Sequence, residues 1–176
     1  MKRLWIGLVV VLMMVATPVV AAEVKVAYVD LQKALVVCDA GKAAKGTMGK
    51  RVKEFQATAQ KRQQNLKVLN EELEKKKMML SADARAEKER DYQQKTKDFQ
   101  RFIKDAQEEL QREEGLLGRE ILEGLGKVIK ELGDKEGYTL VLEKSNGGLL
   151  YADESIDLTD KVIAAYNKAY KASNGK

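Results

Sequence analysis

The chain has 176 residues, with 32 lysines and arginines against 27 acidic residues, no histidine, one cysteine and one proline. A nucleophile normally needs a neighbouring base, and structural zinc sites need clustered Cys and His ligands, so this composition disfavours an enzyme. We therefore expect no catalytic residues, no cofactor and no metal. The single Cys38 follows Leu35, Val36 and Val37, and we interpret it as a small buried hydrophobic residue.

Residues 1–22 have the layout of a secretory signal peptide. Lys2 and Arg3 precede an apolar run from Leu4 to Ala16, and the small residues Ala21 and Ala22 end the segment. We expect export and cleavage after Ala22, which leaves 154 of the 176 residues, enough for one domain. An uncleaved N-terminal membrane anchor is the alternative. Export would also remove nucleic acid as the natural partner, despite the basic composition.

The mature chain begins with a short strand. Residues 24–29, VKVAYV, are rich in β-branched side chains, and Asp30 is placed to cap a short amphipathic helix.

A heptad pattern runs through the next segment. Ten positions recur with steps of four and three, and eight of them are apolar, which is typical of a helix packed along a partner helix. They are Met48, Val52, Phe55, Ala59, Arg62, Leu66, Leu69, Leu73, Lys76 and Leu80.

The following segment keeps an apolar stripe but changes its period to 11 residues. The stripe is formed by Phe99, Leu110, Ile121 and Leu132, together with Ala106, Leu117 and Val128. An 11-residue repeat does not supercoil as a heptad repeat does. Two periods side by side indicate a pair of helices that can splay apart.

We predict a reversal of the chain near residues 80–82. Ser81 suits an N-cap with Asp83 in the first turn, and Lys75 to Lys77 suit the end of a preceding helix. The arms would then span 42–80 and 82–132, the shorter about 58 Å long. The alternative is one continuous helix, because no Gly or Pro enforces the turn.

Four glycines fall at one level of this hairpin. Antiparallel pairing about residue 81 places Gly46 and Gly49 opposite Gly118 and Gly115. Each costs about 1 kcal/mol in a helix relative to Ala, which would create a soft zone where the arm flexes. The alternative is that the glycines allow close helix approach.

Charge is divided along the arm. Residues 61–104 contain 13 basic against 8 acidic residues, and residues 105–135 contain 5 against 9. The predicted tip also carries Met78, Met79 and Leu80, which we expect to be exposed. Adaptable Met side chains beside lysines suit unfolded chains or anionic lipid surfaces, although a solvated helix surface alone also explains dense charge.

The C-terminal part reads as strand, turn, strand and helix. Tyr138–Glu143 and Gly148–Ala152 are predicted strands around an Asn-Gly turn, and Asp157 is placed to cap the last helix. Three short strands and two short helices are too few for a robust core in one chain. We therefore expect an oligomer.

This order of elements resembles the Skp (OmpH-like) family of periplasmic chaperones, from Val24 to about Lys171. The most specific similarities are KVAYVDLQKAL at the start, Gly137-Tyr138 at the strand entry and DLTD at 157–160. The resemblance implies an α+β, mostly α fold: a homotrimeric β-sheet body formed by 23–41 and 133–176, with the arm 42–132 projecting from it. The body residues would include Val24, Val26, Tyr28, Leu140, Leu142 and Leu150.

The resemblance further implies a periplasmic, ATP-independent holdase that binds unfolded outer-membrane proteins in a cavity between the arms. Lipopolysaccharide or an anionic membrane surface is a further expected partner. We nominate the tip for client or anionic-surface binding on charge and position alone: Lys75, Lys76, Lys77, Met78, Met79, Leu80, Arg85, Lys88 and Arg90.

Two other classes remain open from the sequence. A structural coiled-coil spacer of the cell envelope would explain export and the lack of catalytic groups, and it predicts no client binding. A nucleic-acid-compacting protein would explain the basic composition, and it predicts that the chain stays inside the cell uncleaved.

Overall fold

The structure, a computed structural model, describes residues 24–76, 78–145 and 148–174. The predicted signal peptide, Lys77 and the Asn146-Gly147 turn lie outside the described residues.

The chain is mostly helical, with a small sheet built from both ends of the mature sequence. In chain order the elements are β1 (Val26–Val29), α1 (Leu31–Val37), α2 (Asp39–Lys76), α3 (Ala82–Glu136), β2 (Leu140–Glu143), a 3-10 turn (Glu154–Ile156) and α4 (Thr159–Asn174). Helices α2 and α3 pack against each other as a long antiparallel hairpin. The predicted mostly helical α+β fold, with a helical hairpin and a small sheet from both ends, is confirmed, and the homotrimer stays a prediction. The alternative of one continuous helix is wrong.

The hairpin reverses at a short turn after Lys76. The amides of Met79 and Leu80 donate to the Lys76 carbonyl at 2.9 and 3.1 Å. The hydroxyl of Ser81 then accepts a hydrogen bond from the Ala84 amide at 3.3 Å and caps α3. A polar N-cap and local hydrogen bonds therefore replace the Gly or Pro that a turn usually uses.

The apolar stripes face each other inside the hairpin. The eight apolar positions of the heptad pattern are all partly or fully buried, as are the seven positions of the second stripe. The rings of Phe55 and Phe102 are 6.0 Å apart. Arg62, a polar seam position, places its guanidinium 4.2 Å from the centre of the Phe102 ring. Cation–π contact explains how an arginine is accommodated in the seam.

Strands β1 and β2 pair in parallel, with Val26 opposite Leu140 and Val29 opposite Glu143. Parallel neighbours require a long crossover connection, and here the crossover is the helical hairpin itself. The sheet therefore ties together the two ends of the arm.

The predicted strand at 148–152 is wrong. Within the described residues this segment is irregular, and Leu150 and Tyr151 are 99% and 85% exposed. The predicted hairpin would have paired this segment with β2, but the partner of β2 is β1, which is more than 110 residues away along the chain. Asp157 instead forms an isolated bridge with Tyr28, on β1.

A compact core lies where the hairpin meets the sheet. It contains buried residues from β1, α1, the root of α3 and α4, including Val29, Ala34, Leu125 and Val162. Gly41 permits this packing. A Cβ at Gly41 would lie 1.9 Å from the Leu35 carbonyl oxygen, so residue 41 must be glycine for α1 and α2 to meet at this angle.

Hydrogen bonds fasten α4 to β1. The Leu158 amide donates to the Tyr28 carbonyl at 2.9 Å, and the Asp30 amide donates to the buried Thr159 hydroxyl at 2.9 Å. Burial acts to raise the pKa of Asp157, but hydrogen bonds from Thr159 and Tyr28 outweigh it and hold that pKa below its ordinary value. Polar contacts therefore stabilise the body in addition to its apolar core.

Candidate functional site

No group of three or more His, Cys, Asp or Glu side chains that could hold a metal ion occurs in the part of the chain that the structure describes. Cys38 is buried, and its sulfur accepts a hydrogen bond from the Gly41 amide at 3.3 Å. Over the same residues, none of the helices combines the length and the hydrophobicity needed to cross a membrane.

The tip of the hairpin exposes two large apolar side chains. Met78 and Met79 are 95% and 85% exposed. Leu80, which we expected to be exposed, is partly buried, and the other apolar positions of the heptad seam are partly or fully buried. The tip therefore offers a pair of flexible thioethers to a partner.

Much of the positive charge at the tip is paired within its own helix. Lys75 and Lys76 lie 3.9 Å from Glu71 and Glu72, each four residues earlier. Arg85 donates to Glu89 at 2.8 Å, Arg90 is exposed, and Lys88 is partly buried. Lys77 lies outside the described residues. Exposed pairs of this kind are weak, so a partner with higher negative charge could compete for these cations.

The four glycines at one level of the arm do not allow close helix packing. A Cβ added at Gly46, Gly49, Gly115 or Gly118 would meet no atom within 4 Å. The close-approach alternative is therefore wrong. Flexing of the arm at this level stays a prediction.

An ion-pair cluster joins the two arms close to these glycines. The Arg51 guanidinium lies 3.4 Å from Glu109 and 3.6 Å from Glu113 on the opposite helix, and 3.5 Å from Glu54 on its own. Arg51 and Glu113 are each two residues from a glycine of the level, Gly49 and Gly115. Two of these three carboxylates, Glu109 and Glu113, join the arms through Arg51 beside the glycine level.

At the root of the hairpin, the two helices carry net charges of opposite sign. Residues 42–60 of α2 contain five basic residues and one acidic residue, whereas residues 105–135 of α3 contain 5 basic and 9 acidic residues. The sequence shows this division only when the charges of both arms are counted.

An apolar groove lies beside this level, at the junction of α1, α2 and α3. Its volume is about 650 Å³, and Lys45 and Glu114 are the charged residues that line it. Its apolar lining includes Ala44, Met48, Val52, Leu110, Leu117 and Ile121. We call this feature the root groove.

The predicted body residues divide into buried and exposed ones. Tyr28 is buried, and Val26 and Leu142 are partly buried. Val24, Leu140 and Leu150 are 66%, 48% and 99% exposed. Leu140 begins β2 and Val24 precedes β1, so apolar surface is left uncovered at the small sheet.

Comparisons with known proteins agree with this geometry. The family model for outer membrane proteins of the OmpH-like type matches residues 25–166. A similar solved structure is the crystal structure of an OmpH-like protein from Caulobacter crescentus CB15, which has been assigned as an outer membrane chaperone. The TM-score is 0.78 at 20% sequence identity, and the match covers 84% of this chain and 86% of that chain. Among curated protein sequences, none matches.

Proposed function

This chain belongs to the OmpH-like family of outer membrane proteins, and from that premise we propose that it is a chaperone of the periplasm. It acts as a holdase without ATP. It binds unfolded outer-membrane proteins between helical arms and prevents their aggregation before membrane insertion.

The observation that carries this proposal is the hairpin itself. Helices α2 and α3 extend away from the body that contains the compact core, and their tip ends in the exposed Met78 and Met79. A narrow apolar seam with charged flanks stabilises such an arm weakly, so it can adapt its shape. Flexible Met side chains also adapt to many apolar partners, as a chaperone surface requires.

The cavity in this proposal requires several arms, and we propose that the body assembles as a homotrimer. Strand β2 pairs with β1 on one side, and Leu140 at its start is half exposed. The neighbouring segment exposes Leu150 and Tyr151. Unpaired sheet edges and exposed apolar side chains are surfaces that a second copy can cover.

The basic outer arm supports capture of clients by charge. Lys and Arg steer negatively charged partners over a distance set by ionic strength. The same cations would recognise the phosphate groups of lipopolysaccharide or of an anionic membrane surface, which we propose as a second partner of the tip.

The proposal is tested with a purified β-barrel protein diluted out of urea. We expect the chaperone, at one trimer per client, to suppress light scattering from aggregates without ATP. A trimer that leaves aggregation unchanged would contradict the proposal and favour a structural spacer. An unrelated helical coiled-coil protein at equal concentration controls for crowding.

Localisation is tested separately by cell fractionation and N-terminal sequencing. We expect the protein in the periplasmic fraction with Glu23 as its first residue. Recovery of the full-length chain with the nucleoid would favour a nucleic-acid-compacting protein instead.

A further inference from the structure

The root groove is an apolar surface on a part of the hairpin that is otherwise charged. Its lining comes from α1, α2 and α3, and α4 contributes no residue to it. Val36, at the end of the groove nearest the body, is 62% exposed. Within the described chain the groove is therefore open to a partner, and its volume is in the range of sites that bind a ligand specifically.

The dimensions of the groove match a short extended peptide. Lining residues of α2 run from Gly41 to Val52, a distance of about 16 Å along the helix. Five extended residues span about 17 Å. Because side chains of an extended chain alternate between its faces, such a segment directs three side chains into the groove and two toward solvent.

The charges at the groove favour the same occupant. Lys45 on α2 and Glu114 on α3 are opposite in sign, so the groove as a whole has no strong preference for either charge. A segment that alternates apolar and uncharged polar residues satisfies both the apolar floor and this balanced rim. Strands of outer-membrane barrels have this alternation, apolar toward lipid and polar toward the interior.

The geometry points to the root groove as a binding subsite for single unfolded barrel strands, which it holds in extended form with alternate apolar side chains inserted between the arms. This inference rests on the proposed chaperone function and adds a defined site to it. Clients would be recognised by the alternation of their strands as well as by overall hydrophobicity.

One glycine makes the groove testable without disturbing the fold. Gly118 lines the groove, and a Cβ added there would meet no atom within 4 Å. A long unbranched side chain at 118 would therefore occupy the groove rather than the core. Gly115 lies three residues earlier on α3, is exposed and equally open, and does not line the groove. Met and Leu are good helix formers at either position.

The experiment measures fluorescence anisotropy of a labelled nine-residue peptide with apolar residues at every second position. A second peptide has the same composition with its apolar residues in one block. We expect the purified wild-type protein to bind the alternating peptide at least fivefold more tightly than the block peptide. Gly118→Met should weaken binding of the alternating peptide about tenfold or more, and Gly115→Met should change it less than twofold.

Equal affinities of the two glycine variants would overturn the inference, as would equal affinity of the wild type for both peptides. A second pair of variants, Gly118→Leu and Gly115→Leu, repeats the comparison. The helical signal in circular dichroism shows which of the two pairs has folded and is used. A changed sedimentation coefficient of a Gly118 variant would also overturn it, because a second copy of this chain would then be the occupant.

The aggregation assay separates this inference from the proposed function. A wild-type protein that suppresses aggregation but fails the peptide test remains a chaperone without this subsite. A wild-type protein that suppresses no aggregation contradicts the proposed function itself.

Discussion

The ring of Tyr166 on α4 lies against the backbone of Gly124 on α3, so closely that a Cβ at residue 124 would be 2.5 Å from Cε2 of the ring. Tyr166 is 8% exposed and belongs to the core, so its ring cannot move aside freely. Burial also raises the pKa of its hydroxyl above the ordinary value. This contact fixes how closely α4 approaches the hairpin root.

We predict different changes in stability for alanine substitutions at two glycines of α3. Gly126→Ala, where a Cβ meets nothing within 4 Å, should stabilise the protein by up to about 1 kcal/mol through helix propensity. The free energy of unfolding of Gly124→Ala should be about 1–3 kcal/mol lower than that of Gly126→Ala. The reason is that the Tyr166 ring must shift to make room for the added Cβ. Urea unfolding followed by circular dichroism measures both, and equal midpoints would contradict the packing explanation.

The glycine level should control the mobility of the arm. Replacing Gly46, Gly49, Gly115 and Gly118 together by Ala should add up to about 1 kcal/mol of helix stability per site. We expect slower amide hydrogen exchange along both arms and a narrower range of accepted client sizes. Gly126→Ala with Gly133→Ala, open positions outside this level, is the control. Unchanged exchange and unchanged client sizes in the fourfold variant would rule out flexing.

The cross-arm cluster of Arg51 should restrain the same level. Arg51→Gln removes the contacts with Glu109 and Glu113. These groups are partly exposed, so the loss in unfolding free energy should be no more than about 1 kcal/mol. Hydrogen exchange near residues 46–56 and 108–118 should become faster. Lys53→Gln removes one exposed positive charge from the same helix and should leave exchange unchanged. If both variants behave alike, general charge rather than the cluster is responsible.

Acid should weaken the body through Glu136. A hydrogen bond from Lys161 at 2.6 Å holds the pKa of Glu136 below its ordinary value of 4.5. As pH falls below about 4.5, Glu136 takes up its proton later in the folded state than in the unfolded state. The stabilisation from the Glu136–Lys161 hydrogen bond is therefore complete above about pH 4.5 and is lost as pH falls through the folded pKa.

Glu136→Gln should therefore flatten the fall of melting temperature with pH below about 4.5 while leaving Asp153 and Asp157, whose pKa values are also lowered, to contribute. Glu123→Gln, an exposed carboxylate of the same helix, is the matched control. Identical acid profiles for Glu136→Gln and the wild type would refute this role for the Glu136–Lys161 pair.

Client capture should depend on salt. At about 0.15 M ionic strength charges are screened beyond about 8 Å, so association should slow as salt rises past this range. Lys88→Gln with Arg90→Gln should lower the association rate and its salt dependence. Lys130→Gln with Lys168→Gln makes the same change in net charge away from the tip and should have a smaller effect. Capture that is independent of salt would mean that apolar contacts dominate.

The periodic segments of this protein were predictable because their structure is local. The seam from Met48 to Leu73 follows from steps of three and four residues, and the caps at Asp30 and Ser81 follow from hydrogen bonds that span three residues. The order of elements also carried the family resemblance, although the tip residues and the flexing glycines remain proposals.

The sheet was predicted less well because its pairing is not local. An Asn-Gly signal at 146–147 favoured a hairpin, yet the partner of Leu140 is Val26, far away in sequence but adjacent once the arm has folded back. The contact of Gly124 with Tyr166 and the cluster around Arg51 have the same origin, since both join residues that meet only across the hairpin. The helical segments and the faces that they bury could be predicted from the sequence, because side-chain periodicity and capping act over a few residues. The partners of those faces could not, because the long crossover sets which distant residues become neighbours.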